Sequence, residues 1–119
     1  MLAGKRHLTA ADEALARADG QLDAAQLLVE RIIGLADGAP IPDPLAARSA
    51  RDAALAGQLI ADAVTGLVRA SGTSGVGGAS PLPRFWRDVT CGATHAALRF
   101  ELNAPDYAQV LLNAAGADR

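Results

Sequence analysis

Residues 80–101 read SPLPRFWRDVTCGATHAALRFE, and the interpretation of the remaining chain starts from this stretch. Ser80 followed by Pro81 is a helix-start signal, because serine accepts from the free amides of a first turn and proline supplies a helical φ. At about 100° per residue, one side of this helix carries Trp86, Val89, Ala93, Ala96, Ala97 and Phe100. The opposite side carries a narrow polar stripe of Arg84, Asp88, Cys91, His95 and Arg99. The stretch therefore predicts a helix with one packing face and one face of reactive groups.

Composition indicates a single domain built from closely packed helices. The 119 residues are 50% hydrophobic but only 3% aromatic, so the interior must consist mainly of Ala, Leu, Val and Ile. The formal net charge of −2 is dispersed along the chain and offers no basic surface for nucleic acid or an anionic membrane. No signal-peptide pattern follows Lys5 and Arg6, and Gln58 and Asp62 interrupt the most apolar window. We therefore expect a cytoplasmic protein that binds neither nucleic acid nor membrane.

Two long helical patterns precede residue 80. Thr9 and Asp12 resemble a capping box ahead of a helix that runs to about Ala36, and Asp43 with Pro44 is a second start signal. Both patterns have the three-four alternation of apolar residues that is typical of an antiparallel helix pair. The first row is Leu15, Ala18, Leu22, Ala25, Val29, Ile32 and Ala36, and the second is Ala53, Ala56, Ile60, Ala63, Leu67 and Ala70.

The carboxyl-terminal part predicts a further helix and sets the domain limits. Asn103, Ala104 and Pro105 form another cap and start, followed by a short closing helix. We expect a flexible lead-in over residues 1–8, a four-helix bundle over residues 9–116 and a frayed tail over residues 117–119. The predicted fold class is therefore all-α.

A glycine-rich segment, SGTSGVGGA, occupies residues 71–79 and predicts a loop. Backbone amides in such a loop can hold a phosphate, but Gly78 and Ala79 stand where a P-loop requires Lys and Ser or Thr. Ser80 replaces the last glycine of a dinucleotide fingerprint. A plain connection between helices and a backbone-mediated ligand contact therefore both remain open.

The polar stripe of the third helix also has several readings. Asp88, Cys91 and His95 are too few for a structural zinc site, and we expect no metal. Cys91 and His95 are helix neighbours, but a thiol in mid-helix is more often a small buried side chain than a nucleophile. The stripe is either a solvated face or a set of planar Arg and His donors directed at a ligand or subunit.

The same residues resemble the C-terminal domain of the acyl-CoA dehydrogenase superfamily. The resemblance rests on Ser80-Pro81-Leu82-x-Arg84-x-x-Arg87-Asp88, on His95 seven positions later, and on the A-x-G-T-S segment at residues 70–74. More narrowly, the chain is similar to the type 2 domain of flavin-dependent monooxygenases that hydroxylate phenols, sulfur heterocycles and amino sugars. The resemblance implies an antiparallel four-helix bundle that supports oligomers and completes a flavin site.

Residue roles also follow from the resemblance. Gly72, Thr73 and Ser74 would lie near the flavin, which is FAD or FMN, and His95 would stand close to the isoalloxazine and the substrate. An imidazole there could hydrogen-bond a flavin hydroperoxide or a substrate oxygen. The remaining motif residues, Arg84, Arg87 and Asp88, would hold the bundle and its contacts together.

The family places an all-helical domain and a β-barrel-like domain ahead of this one. The resemblance therefore implies one module of a dehydrogenase or monooxygenase, inactive without those domains or a partner subunit that supplies them. We expect a homo-oligomer, a flavoprotein partner, or both. The alternative is a non-catalytic helical interaction domain that kept the bundle and lost the chemistry.

Overall fold

A computed structural model describes residues 7–35, 38–76 and 82–117, except for the side chains of residues 72–76, 82, 83 and 97. The chain forms α1 (Ala10–Leu35), α2 (Asp43–Val76) and α3 (Leu82–Ala117). The described residues contain no strand, and the all-α class is confirmed. The predicted helix start at Ser80 and Pro81 lies outside the described residues.

Local signals account for the start of α1 and for its connection to α2. The backbone amide of Asp12 donates to Thr9 Oγ1 at 3.1 Å, and the amide of Thr9 donates to Asp12 Oδ2 at 3.0 Å. This reciprocal pair is the predicted capping box. In the connection, Gly38 has a φ of 91°, which a residue without Cβ adopts at little cost. The chain thereby reverses and α2 begins at Asp43.

The three helices form an open layer with α2 in the middle. α1 and α3 each pack against α2, and within the described residues they do not touch each other. Both pairs are antiparallel. The end of α1 meets the early part of α2 through Arg31 and Asp52, and the start of α3 meets the later part of α2 through Trp86 and Thr65. The radius of gyration is 18.5 Å, whereas a compact domain of this length has about 14 Å. The layer is therefore extended.

Small side chains allow the helices to approach closely. The buried apolar residues are Ala18 and Ala25 in α1, and Ala54, Ala56, Ala61, Ala63 and Val64 in α2. A methyl group added to Gly57 would come within 2.8 Å of the Cβ of Ala96, so α2 and α3 approach each other closely at this position. This packing confirms the antiparallel pairing of the first two helices through small residues.

The predicted packing rows are only half buried. Leu15 is 62% exposed, Leu22 42% and Val29 40%, although Ala18 and Ala25 from the same row are buried. In α2, Ala53 and Ala70 are exposed. The rows were predicted for a closed bundle, whereas α1 has a single neighbour and only the edge of the row nearest α2 is covered.

The two faces of α3 agree with prediction. Trp86, Val89, Ala93, Ala96 and Phe100 are half-buried, and Arg84, Asp88, Cys91, His95 and Arg99 are exposed. The indole Nε1 of Trp86 donates to Thr65 Oγ1 at 3.0 Å, which anchors the start of α3 to α2.

One predicted helix break is wrong, and another helix ends later than predicted. α3 continues through Pro105, so the predicted third and fourth helices are one. Proline removes the hydrogen bond to the carbonyl of Glu101 and its ring crowds that carbonyl, but the turns on both sides remain helical. The predicted loop began at Ser71, whereas α2 continues through Gly72 to Val76, and residues 77–79 of that predicted loop lie outside the described residues. Glycine costs about 1 kcal/mol relative to alanine but keeps its amide donor.

Residues Asp43–Ser71 of α2 are long and apolar enough to cross a membrane by length and composition alone. From the sequence we expected no membrane-spanning segment, because Gln58 and Asp62 interrupt the most apolar window. α2 packs against α1 on one side and against α3 on the other, and 28% of the apolar window is buried.

Candidate functional site

His95 lies on one wall of a groove between α2 and α3. The groove has a cavity of 260 Å³ lined by Ala50, Ala53, Ala54, Gly92, His95, Ala96, Arg99 and Asn103. A second cavity of 610 Å³ shares Ala50 and Asn103 with it and extends towards Asp43 and Asn113. The two cavities are neighbours between α2 and α3, and we call them together the His95 groove.

The walls of the His95 groove differ in chemistry. His95, Arg99 and Asn103 are successive i, i+4 positions, so an imidazole, a guanidinium and an amide follow one another along α3. Asn103 Nδ2 donates to the carbonyl of Arg99 at 2.7 Å, which orients this amide along the helix. The facing wall carries only alanines near His95. An apolar wall opposite a row of polar groups is a lining that small-molecule sites commonly have.

The predicted cofactor-binding residues lie at another level of the layer. Gly72, Thr73 and Ser74 are in the last turns of α2, whereas His95 stands beside Ala96 at the level of Gly57. At about 1.5 Å per residue, the two sets are roughly 25 Å apart along α2. Both assignments remain predictions, and one chain does not bring these residues together.

The other residues of the polar stripe form no reactive cluster. Cys91 is a free, exposed thiol. In the described part of the chain, no three His, Cys, Asp or Glu side chains are close enough to hold a metal. Arg84, Arg87 and Asp88 are exposed. Any role of theirs in holding the assembly together would therefore act on contacts outside this layer.

Sequence reasoning missed a cluster of charges around Asp52, which is 1% exposed. Arg31 of α1 donates from Nε to Oδ2 and from Nη2 to Oδ1 of this carboxylate, both at 2.9 Å. Arg51 Nε donates to Oδ1 at 2.8 Å, and the Arg51 guanidinium lies 4.5 Å from the centre of the Tyr107 ring of α3. The cluster thus connects all three helices. The spacing could have indicated that Asp52 is buried, because this residue stands four positions before buried Ala56 and therefore lies on the same side of α2.

The layer has two distinct faces, which α2 separates. Ala53 and Asp62 are both exposed, and about two and a half turns between them place them on opposite sides of α2. Ala53 lines the His95 groove, whereas Asp62 lines a 220 Å³ cavity between α2 and α1 together with Arg17. The His95 groove and the groove at Asp62 therefore open on opposite sides of the layer.

Helical phase assigns the remaining side chains to these two sides. The histidine face comprises Leu15, Leu22, Val29, Ala46, Ala53, His95 and Arg99. The arginine face comprises Arg17, Arg31, Arg48, Arg51, Asp62 and Arg69. The first face is largely apolar outside α3, and the second is strongly charged.

Comparison with known proteins gives a consistent result. Residues 6–100 match the family described as acyl-CoA dehydrogenase, C-terminal domain. The chain is similar to the flavin-dependent monooxygenase, oxygenase subunit HsaA, of Mycobacterium tuberculosis strains CDC 1551 / Oshkosh and ATCC 25618 / H37Rv. In each case 41% of 78 residues are identical, which covers 65% of this chain and 18% of the relative. The chain thus spans less than a fifth of these relatives. No solved structure matches it significantly.

Proposed function

The chain belongs to the acyl-CoA dehydrogenase C-terminal domain family, and from this premise we propose that it is the helical module of a flavin-dependent dehydrogenase or monooxygenase. The observation that carries the proposal is the His95 groove, in which His95, Arg99 and Asn103 face a wall of alanines. The similarity to an oxygenase subunit named as flavin-dependent supports the same class of chemistry. Whether the flavin is FAD or FMN stays open.

The residues of the His95 groove fit one edge of a flavin site. The alanine wall leaves room for a flat ring, and the imidazole of His95 can donate to or accept from a substrate oxygen at the ring edge. A bound flavin would supply the electron transfer, while His95 would orient the substrate and hold or deliver a proton. The cavity beside His95 is small and belongs to an open surface, so this chain contributes one wall and a partner the rest.

The exposed surface supports a partner. The chain has 8609 Å² of accessible surface, whereas a compact monomer of this mass has about 6,000 Å². The chain therefore exposes about 2,600 Å² more than a compact monomer of its mass. Leu15, Leu22 and Val29 follow one another at seven-residue spacing on the histidine face and are exposed. We therefore expect the same face to bind a second copy or a flavoprotein subunit and to complete the site.

We expect an assembly of chains to decide how Gly72, Thr73 and Ser74 contact the cofactor. Because they are roughly 25 Å from His95 along α2, a single isoalloxazine ring cannot contact both within one chain. They would contact another part of the cofactor, or a cofactor whose ring is held by another chain. The chain would act in the cytoplasm, and its net charge of −2 supports neither nucleic acid nor membrane as the partner.

The decisive experiment compares two histidines in the complex of this chain with a co-purifying flavoprotein. His95→Ala should lower turnover by about 100-fold or more, the usual contribution of acid–base catalysis, with assembly and flavin content unchanged. His7→Ala removes the other histidine, which is exposed outside the helices, and should have no effect. Full activity of the His95→Ala complex would remove this residue from the mechanism.

A binding experiment on the chain alone tests whether the site is incomplete. Titration with FAD or FMN, followed by flavin fluorescence, should show no tight stoichiometric binding. Tight binding without a partner would contradict the proposal that this chain supplies only one wall. The same purified chain can then be used for co-purification with candidate flavoproteins.

The alternative function is a helical oligomerisation domain without chemistry. The open layer and its excess surface favour this reading, because they require a partner but no cofactor. The two functions differ in the effect of His95→Ala on a complex that retains its flavin. A complex that forms through the histidine face and never contains flavin would favour the alternative.

A further inference from the structure

Arg99 is a cation in the lining of the His95 groove that has no carboxylate beside it. The cavity next to His95 is lined by alanines, a glycine, His95, Arg99 and Asn103, and by no acidic residue of the described chain. Arg17, which lines the cavity between α1 and α2, is instead paired with Glu13 at 3.3 Å. Within the described residues, no carboxylate lies at ion-pair distance from Arg99. The groove therefore contains a positive charge that its own lining does not balance.

The charges of the His95 groove are separated along α3. Asp43 and Asp106 line the neighbouring cavity and not the one beside His95. Asp106 follows Arg99 by seven residues, which is about 10 Å of helix. Repulsion by these two carboxylates disfavours an anion at the Asp106 end, and the guanidinium favours one at the other end. An anionic group that enters the groove is therefore most stable at Arg99, one turn from His95.

The guanidinium of Arg99 is the strongest donor to an anion in this cavity. Its planar fork presents paired N–H groups that match the two oxygens of a carboxylate. Asn103 offers less, because its Nδ2 already donates to the carbonyl of Arg99 at 2.7 Å. The facing wall consists of Ala50, Ala53 and Ala54, whose side chains have no acceptor that could compete for the fork. Arg99 therefore decides which charge this cavity accepts.

We propose that Arg99 is a specificity-determining residue that binds the carboxylate of an organic acid substrate, whose reacting oxygen lies at His95. One helical turn separates His95 and Arg99 by about 6 Å, so the carboxylate and the oxygen at His95 stand at opposite ends of one small ring. A flavin phosphate does not fit this position, because the whole ribityl chain separates it from the ring at which His95 would act. The assignment to a substrate rests on the proposed function, whereas binding of the carboxylate depends on this chain alone.

A titration of the full chain tests this site without flavin or partner. The probes are 4-hydroxybenzoate and 4-hydroxybenzamide, which share the ring and the hydroxyl and differ in the charge of one group. Two-dimensional ¹H–¹⁵N spectra at neutral pH and constant ionic strength follow the backbone amides of Gly92 and Ala53, which lie on opposite walls of the cavity. With 4-hydroxybenzoate both resonances should shift and saturate, and the benzamide should bind about tenfold more weakly because it lacks the charged hydrogen bond. Shifts that do not saturate, or equal binding of the two probes, would overturn the proposal.

Two variants assign the preference for the carboxylate to one arginine. Arg99→Gln removes the charge at an exposed position, and its two probes should bind equally weakly. Arg87→Gln removes another exposed arginine of α3, which lies roughly 18 Å away along the helix and does not line the groove. This control should keep the preference of about tenfold. An unchanged preference in Arg99→Gln would overturn the proposal.

The complex with a co-purifying flavoprotein separates the two sources of an anion. Arg99→Gln should leave the flavin content of the complex unchanged, because the guanidinium binds the substrate. A loss of flavin in this variant would assign Arg99 to the flavin phosphate and overturn the substrate assignment. Full activity of the His95→Ala complex would remove the proposed function but not the binding of 4-hydroxybenzoate. A failed titration would remove the carboxylate site but not the role of His95.

Discussion

The histidine face and the arginine face belong to the same three helices but depend on different interactions. On the arginine face, charges from α1 and α2 converge on a carboxylate that is 1% exposed, and the tyrosine of α3 lies against one of them. On the histidine face, leucine and valine side chains of α1 stay exposed, and a groove between α2 and α3 that is partly lined by alanines opens on the same side. The contacts of the arginine face are largely made within the chain, whereas much of the histidine face remains exposed.

This difference shows that the two faces of an open layer can differ in how many of their side chains make contacts within the chain. Alanine contacts along α2 bury little apolar area for each residue, so the layer lacks the core of a closed bundle. The charge cluster provides specific connections between helices where the apolar contacts are thin. Apolar stripes left over on the opposite side are then available for assembly.

The largest expected effect comes from removing the shared carboxylate of the arginine face. Asp52→Asn leaves Arg31 and Arg51 without their charged acceptor and should lower the free energy of unfolding by about 3 kcal/mol. Asp62→Asn, an exposed position on the same helix, should change it by less than about 0.5 kcal/mol. Urea unfolding followed by circular dichroism measures both. Equal stability of the two variants would show that the cluster does not hold the helices together.

The next effect concerns assembly through the histidine face. Leu15→Glu with Leu22→Glu places two charges in the exposed apolar stripe and should weaken association about 100-fold, or about 2.7 kcal/mol. Sedimentation velocity measures the association, and circular dichroism checks that helix content is kept. Leu111→Glu with Leu112→Glu changes two exposed leucines outside this face. An equal loss of association in this control pair would mean that the histidine face is not the specific interface.

Two glycines of α2 should respond with opposite signs. Gly57→Ala would bring a methyl group within 2.8 Å of the Cβ of Ala96. The strain outweighs the gain in helix propensity, for a net loss of about 1 kcal/mol. Gly66→Ala meets nothing within 4 Å and should stabilise by up to about 1 kcal/mol. Thermal unfolding decides the signs, and a stabilising Gly57→Ala would show that α2 and α3 are farther apart than described.

The smallest expected effect comes from removing the helix cap of α1, which acts within one helix and not between helices. Thr9→Ala removes the hydroxyl that accepts from the amide of Asp12 and should cost about 1 kcal/mol at the start of α1. Thr94→Ala removes a hydroxyl that bonds within α3 to the carbonyl of Thr90, and such bonds contribute little to helix stability. Amide hydrogen exchange should show faster opening of the first turn of α1 only in Thr9→Ala. Unchanged exchange in the first turn would show that the capping box does not stabilise the start of α1.

Local interactions explain which parts of the fold were predictable. The capping box of Thr9 and Asp12 and the two sides of α3 depend on residues three or four positions apart, which sequence spacing reports directly. Helix ends were less accurate, since Pro105 and Gly72 disfavour a helix without preventing it. The packed turns on either side outweigh such penalties of a few kcal/mol or less.

The candidate site was predictable only in part. His95 was identified from its place in a family motif, and the structure adds the alanine wall and the neighbouring Arg99 and Asn103. The cluster around Asp52 escaped because an Arg-Asp dipeptide resembles a solvated surface pair. Arg31 is 21 residues away, and no local pattern indicates that this guanidinium comes from another helix.

Amino-acid order alone was sufficient for the helical class, the antiparallel pairing of the first two helices, the faces of α3 and the place of His95 on its exposed stripe. These features depend on helical periodicity, which needs no knowledge of the neighbours. The tertiary structure decided which half of each apolar row is covered, which arginines share Asp52, and how far His95 lies from Gly72. Those outcomes depend on how many helices surround each helix and in what register, and periodicity leaves both undetermined.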